Sequence, residues 1–164
     1  MTIQPGDKVP SLTLYQKTAD GVGKISTDEI FKGKKVVVFA LPGAFTPTCS
    51  ASHLPGYVVK SDELFASGVD SIVCLSVNDA FVMGAWGEQH NVEDRVMMIA
   101  DGSAEFTLAV GLELDRTNKG MGMRSQRYAM IVNNGVVEVL KVEAPGKFEV
   151  SDADTILAHL QSPT

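Results

Sequence analysis

Lys35-Val36-Val37-Val38-Phe39-Ala40-Leu41, followed by Pro42-Gly43-Ala44-Phe45-Thr46-Pro47-Thr48-Cys49, is the stretch that decides the fold. The first seven residues form a continuous apolar run, the mark of a strand covered on both faces. A Pro-Gly break ends it. Proline suits the first position of a helix, so Pro47 opens one, with Thr46 as its N-cap and Cys49 as its third residue. The backbone N–H groups of Thr48 and Cys49 then belong to the unpaired set at a helix start. Together with the helix dipole they favour a thiolate, so Cys49 reads as a reactive thiol rather than an inert buried one.

Outward from this stretch the element order is legible. Leu12 to Tyr15 is a short strand, Gly21-Val22-Gly23 a hairpin turn, and Lys24 to Thr27 its return. Thr27 or Asp28 caps a short helical turn through Phe31. Thr48 to Ser67 reads as helix, broken or kinked at Pro55-Gly56 and ended by Gly68. Ser71 to Val77 is a second buried strand, and Asn78 or Asp79 caps a helix whose Phe81, Val82, Ala85 and Trp86 share one face. Arg95 to Ala100 is a third strand, and Ser103 starts a helix carrying Phe106 and Val110. Asn133-Asn134-Gly135 joins Tyr128 to Val132 with Val136 to Val142 as a hairpin. Ser151 caps a last helix, with Asp154 in a box-like position and Ile156, Leu157 and Leu160 facing inward. This order predicts one α/β domain over residues 1–164, with a mixed central β-sheet flanked by helices and a thioredoxin-like layout. In open α/β sheets ligands collect beyond the carboxyl ends of strands, and Cys49 follows the strand that ends at Leu41.

The 164 residues suffice for a full hydrophobic core, and a net charge of −6 argues against a nucleic-acid or anionic-membrane surface. The longest apolar run, Val36 to Pro42, is too short to span a bilayer. Two cysteines do not build a disulfide framework, which points to a reducing compartment, the cytosol or an organelle after removal of a transit peptide. The histidines His90 and His159 stand without metal-ligand spacing, so no metal is expected. The glycine-rich Gly120-Met121-Gly122-Met123-Arg124 does not join a strand to a helix and reads as a loop rather than a phosphate cradle.

A helix start contributes about 0.3–1 kcal/mol toward a thiolate, which is less than a tenfold shift at ~1.4 kcal/mol per decade. A nearby cation must add to it, and Arg124 and Arg127, leading into the strand from Tyr128, are the candidates. His53, one helical turn after Cys49, suggests a Cys–His pair. It would lie deeper along the helix, however, so a packing or hydrogen-bonding role is favoured over that of a base.

Pro42-x-x-x-Thr46-x-x-Cys49 resembles the active-site signature of peroxiredoxins. The longer run through Ser50, then His53-Leu54-Pro55-Gly56, Cys74 to Val82 and Arg127-Tyr128-Ala129-Met130, is similar to the type II, peroxiredoxin-5-like subfamily over nearly the whole chain. The resemblance implies a thiol-specific peroxidase, without metal or organic cofactor, that reduces hydrogen peroxide and alkyl hydroperoxides. By it Cys49 is the peroxidatic cysteine, and Thr46, Thr48 and the Cys49 N–H hold the peroxide oxygens. Arg127, which alone would read as a surface ion-pair residue, polarises the peroxide, and Pro42 packs over the sulfur. The reductant would be glutaredoxin with glutathione, or thioredoxin.

Cys74 carries two readings. By resemblance to plant-like and bacterial members it is the resolving cysteine, since the mammalian-like position near Ser151 holds no thiol. By burial in an apolar strand it is a small core residue. A bridge demands Cα atoms within about 7 Å, and Cys74 lies about three residues short of its strand end, so the Cys49 turn would have to unwind. A thiol–disulfide oxidoreductase is disfavoured because Ser52 stands where Cys-x-x-Cys needs a thiol. A redox sensor built on the same cysteine remains the alternative. The resemblance further implies a homodimer, to which Phe45, beside the reactive loop, would contribute unless it serves as a lid.

Overall fold

The computed structural model describes residues 2–161. β1 (Thr13–Thr18) and β2 (Gly21–Ser26) form an antiparallel hairpin, followed by α1 (Thr27–Phe31) and β3 (Lys35–Leu41). A π-helical turn at Cys49–His53 leads into α2 (Leu54–Ala66), then β4 (Ser71–Ser76), α3 (Ala80–Gln89), β5 (Met97–Ala100) and α4 (Glu105–Val110). A small antiparallel ribbon, β6 (Glu113–Arg116) with β7 (Gly122–Ser125), precedes β8 (Tyr128–Asn133), β9 (Val136–Val142) and α5 (Ala153–Gln161).

The main sheet has seven strands in the order β2-β1-β5-β4-β3-β8-β9. β3 pairs parallel with β4, and β4 with β5, while β8 runs antiparallel to β3. The sheet is therefore mixed, with the KVVVFAL strand near its centre and six of its seven residues buried. Alternation along β3 sorts the core into two layers. Val37, Phe39 and Leu41 pack with α2, α3 and α5, whereas Val36, Val38 and Ala40 pack with α1 and α4. Phe39 stacks on Tyr57 of α2 with ring centroids 4.1 Å apart. The thioredoxin-like fold with helices on both faces is thus present, and its continuous apolar strands are the buried central ones, as their composition requires.

Several local readings change. The first hairpin turns at Ala19-Asp20, so Gly21-Val22-Gly23 lies within β2, pairing with Thr18, Lys17 and Gln16. α1 is capped one residue earlier, by Ser26, whose hydroxyl accepts the Glu29 N–H in a reciprocal box. Pro55-Gly56 does not break the long helix, because the proline occupies its first turn, where a missing N–H is tolerated. The irregularity is displaced upstream. Pro55 cannot bond the Ala51 carbonyl, so the preceding turn widens and the Leu54 N–H reaches Cys49 O, five residues back.

α3 begins after Asp79, whose side chain accepts from Val82 N, but it buries Ala80, Met83, Trp86 and Gly87 and leaves Phe81 63 % exposed. Of the expected face, Trp86 is buried and Val82 packs against the core, while Phe81 and Ala85 are exposed. α4 starts after Ala104 rather than at Ser103, and its first N–H groups, Phe106 and Thr107, donate to the Asp101 carboxylate. Before α5 the capping side chain is Asp152, which accepts from Thr155 N, because Ser151 is engaged elsewhere. The third strand is shorter than expected, and the Gly120–Arg124 segment contributes to the β6–β7 ribbon instead of remaining a loop. The Asn134-Gly135 turn stands as read, both residues having positive φ as a tight type I′ turn needs.

Leu64 of α2 is fully buried in the layer shared with α5. Leu64→Ala is expected to lower stability by about 2–5 kcal/mol, read as a lower urea midpoint at unchanged slope. A loss below about 1 kcal/mol would mean that this layer closes around the cavity.

Candidate active site

The Cys49 sulfur lies beyond the end of the central strand. After β3 the chain turns through Pro42 to Thr46, and Pro47-Thr48 begins the helical turn carrying Cys49. Three polar contacts hold this loop. Ala44 N donates to the Asn78 side-chain oxygen at 3.0 Å, Thr46 Oγ1 donates to Gly43 O at 2.7 Å, and Ser50 N donates to Thr46 O at 2.9 Å. Thr46 precedes the helix as expected, but its hydroxyl turns back to Gly43 instead of capping. That leaves its lone pairs open toward the cavity beside it. Among the described residues, neither Thr48 N nor Cys49 N donates to a backbone or side-chain acceptor. Both remain available to a bound oxygen.

Cys49 is fully buried, and its Sγ accepts a hydrogen bond from Arg127 Nη2 at 3.1 Å. Of the two candidate cations only Arg127 reaches the sulfur. Arg124 instead donates from Nε to Met121 O and from Nη1 to Pro42 O, tying the β6–β7 ribbon to the loop. Gly43 makes that approach possible, since a Cβ there would stand 2.7 Å from Arg124 Nη1. A guanidinium is always charged, so the sulfur faces a fixed positive charge at hydrogen-bond distance.

Arg127 is itself aimed by His53. Arg127 Nη1 donates to His53 Nδ1 at 2.8 Å, and His53 Nε2 contacts Ser151 O at 3.1 Å. A carbonyl only accepts, so the ring proton sits on Nε2 and Nδ1 is the acceptor, which makes His53 neutral. Burial, reinforced by the Arg127 charge, pushes the His53 pKa down to about 3, against the opposing pull of the Ser151 bond and Glu143. The residue thus takes the hydrogen-bonding role expected over that of a base. Tyr57 Oη also donates to Ser151 O, at 2.8 Å.

Ser151 is held by Glu143. The Glu143 carboxylate accepts from Glu149 N, Val150 N and Ser151 N, and from Ser151 Oγ at 2.7 Å. Burial would raise its pKa, but these donors outweigh that and hold it below the usual carboxylate range. The segment clasped in this way carries Phe148, whose ring lies 4.9 Å from the His53 ring and 5.7 Å from Arg127 Cζ. A continuous hydrogen-bonded path therefore runs from Glu143 through Ser151 and His53 to Arg127 and the sulfur.

A cavity of about 440 Å³ opens over this centre, with Pro42, Thr46, Thr48 and Arg127 in its wall. Phe45 is not among its lining residues. It is 48 % exposed, has a left-handed φ of 65°, and tilts onto Trp86 at 6.4 Å, so the lid reading finds no support. Trp86 Nε1 in turn donates to Ser50 Oγ beside the cysteine.

Cys74 is also fully buried and free, two residues before the end of β4 rather than three, flanked by Phe39 and Met98. Burial, and then the nearby Cys49 charge, push its thiol well above the ordinary value. Of the residues named from the sequence, Pro42, Thr46, Thr48 and Arg127 line this cavity and Cys49 is buried against Arg127, whereas Glu143, Phe148 and the carbonyl of Ser151 were not named. No local pattern marks these three, since they meet through a loop whose path is tertiary.

The chain is similar to known proteins over nearly its whole length. The model of the Redoxin family matches residues 4–157. Peroxiredoxin-2C of Arabidopsis thaliana is 48% identical over 159 residues, covering 96% of this chain and 98% of its own. The chloroplastic Peroxiredoxin-2E-2 of Oryza sativa subsp. japonica is 50% identical over 164 residues, covering 97% of this chain and 73% of its own. The crystal structure of reduced Prx3 from Vibrio vulnificus in complex with hydrogen peroxide superposes with a TM-score of 0.94 at 58% identity, covering 98% of this chain and 100% of that one.

The neutral His53 has a testable consequence. Its folded pKa, about 3, lies below the ordinary 6.5, so the unfolded chain binds the extra proton between those values. The stabilisation is complete above about pH 6.5 and declines as pH falls toward 3. Nitrogen NMR should show an Nε2–H tautomer that does not titrate between about pH 5 and 8. An imidazole titrating near its ordinary value would refute the assignment.

Proposed function

Because this chain belongs to the redoxin family and, within it, to the peroxiredoxins, which are thiol-dependent peroxidases, we propose that Cys49 is its peroxidatic residue and Arg127 the cation that activates it. The observation that carries this reading is the 3.1 Å bond from Arg127 Nη2 to Cys49 Sγ at a helix start with free N–H groups. Hydrogen peroxide and alkyl hydroperoxides are the substrates. That the similar Vibrio vulnificus protein was crystallised with hydrogen peroxide supports the first of these.

The thiolate attacks the terminal peroxide oxygen. An S–O bond forms, the O–O bond breaks, and its electron pair leaves with the distal oxygen, which takes up a proton to become water or alcohol. Cys49 is left as the sulfenic acid. The Cys49 N–H, the Thr48 N–H and the Arg127 guanidinium are donors for the charge that develops on oxygen. Thr46 Oγ1, its own proton given to Gly43, accepts the peroxide O–H. Pro42 walls the site and Phe148 covers Arg127, which limits water at the reacting atoms.

An external thiol, glutaredoxin with glutathione or thioredoxin, returns the sulfenic acid to thiol. Resolution by Cys74 is a second reading, favoured by one observation. Cys74 and Cys49 belong to the same buried cluster, and the π-helical turn that carries Cys49 would have to unwind for them to meet. The exposed Phe45 and Phe81, at the loop and on α3, support a homodimer formed through that face. The setting proposed is the cytoplasm or an organelle.

Cys49→Ser should abolish peroxide turnover. Arg127→Gln removes a charged hydrogen bond worth about 1.5–3 kcal/mol, so oxidation of Cys49 should slow about 10- to 100-fold in single-turnover kinetics. Equal rates for variant and parent would overturn its role. Maleimide counting of thiols after one equivalent of peroxide tests Cys74. Loss of both supports the bridge, and loss of one assigns resolution to an external thiol.

A further inference from the structure

Peroxide is far smaller than the cavity it would enter. At about 440 Å³ the cavity falls in the range of sites that enclose whole organic ligands, about 300–1,000 Å³. Its wall extends from Thr46 and Arg127 across the ribbon and the segment after β9, where Leu114, Met121 and Phe148 make it apolar. Two further cations line it, Arg116 of β6 and Lys147.

Among the described residues, neither of these cations is in an ion pair. Although the chain carries a net charge of −6, the ion pairs among the described residues involve only Lys35 and Lys60, both away from the cavity. Arg116 Nε is buried without a hydrogen-bond partner, a donor left unmet. The adjacent Asp115 is exposed, its carboxylate turned to Thr117 N. The one carboxylate in the wall, Glu143, is turned to Glu149 N, Val150 N and Ser151 and forms no ion pair with Arg116 or Lys147, so its single negative charge is outnumbered by the cations of the wall. A cavity with an apolar wall, in which Arg116, Arg127 and Lys147 outnumber the one carboxylate, fits a ligand that carries its negative charge at one end of an organic body.

We propose that Arg116 and Lys147 form a carboxylate subsite, which holds the charged end of an amphipathic ligand while its reacting end lies at Cys49. The proposal rests on the peroxidase reading and deepens it. The shared chemistry is a carboxylate on an organic chain, borne either by a hydroperoxy carboxylic acid as oxidant or by a carboxylated thiol of the glutathione kind as reductant. In the first case Cys49 attacks the terminal oxygen as above and the carboxylate leaves with the alcohol. In the second, the thiol sulfur attacks the sulfenic sulfur, a mixed disulfide forms and water departs with the thiol proton.

The test compares each ligand with its own ester in single-turnover kinetics, followed by the emission of Trp86, the single tryptophan, which is bonded to Ser50 next to the reacting residue. In the oxidising arm a hydroperoxy fatty acid is set against its methyl ester, and in the reducing arm glutathione against its diethyl ester. A preference for the acid of about tenfold is expected, roughly one charge-assisted hydrogen bond, and it should shrink as salt is raised. Preference in the oxidising arm assigns the subsite to substrate, and preference in the reducing arm assigns it to the thiol. In the Arg116→Gln, Lys147→Gln double variant the ratio of acid to ester should fall toward one, and Arg116→Lys should retain much of it. A merely structural defect would slow acid and ester alike and leave the ratio intact. Equal rates for acid and ester in both arms, or a preference that survives the double substitution, would overturn the subsite. Hydrogen peroxide turnover by the unaltered protein reports separately on the peroxidase reading.

Discussion

The contact between Arg127 and Cys49 is the constraint from which the rest of the site follows. A buried sulfur gains little from bulk water, so whatever stabilises its anionic form must be supplied by fixed groups. The helix start offers part of that, and a permanent positive charge at 3.1 Å offers more. A buried guanidinium needs partners of its own, because an unpaired one would be costly. The surrounding architecture, on strands β3 and β8 and the loop after β9, supplies them.

His53 is the first of those partners, and its neutrality is what makes it useful. A charged imidazole would repel Arg127, whereas a neutral ring with its proton on Nε2 gives the guanidinium an acceptor at Nδ1. Burial from every side, with Phe39, Tyr57 and Phe148 around the ring, enforces that state. Glu143 acts at longer range by closing the chain on itself, so that the Ser151 carbonyl stays where both His53 and Tyr57 require it. Fully satisfied buried networks of this kind are rigid, since each bond lost would leave a polar group unmet.

The same residues explain where the fold is regular and where it departs from regularity. A proline at the second position of α2 is compatible with the helix, but it withholds one donor from the turn before it. That turn is the one carrying Cys49, and it adopts the wider π-helical spacing. Such turns are weaker than α-helix and cluster at functional sites. The thiol therefore sits at the end of a rigid central strand but on a locally loosened helix.

Much of this protein was legible in its residues. The apolar run Lys35–Leu41, the Asn134-Gly135 turn and the Thr46-Pro47 helix start follow from local chemistry, and with them the mixed sheet and the position of Cys49 at its edge. At Ser151 a local preference was outbid by a contact from a distant segment, whereas at Pro55 the cause is local, since the proline falls in the first turn of α2, where it is tolerated. Ser151 could have capped α5, but Glu143 takes its hydroxyl. By itself the sequence determined most of the elements, their order and the place of Cys49 after the central strand, because these depend on side chains within a few positions of one another. Only the tertiary structure decided which arginine meets the sulfur, that His53 aims it, and which cations share the cavity. Those residues lie 74 and 78 positions apart along the chain, and no periodicity carries information across such a gap.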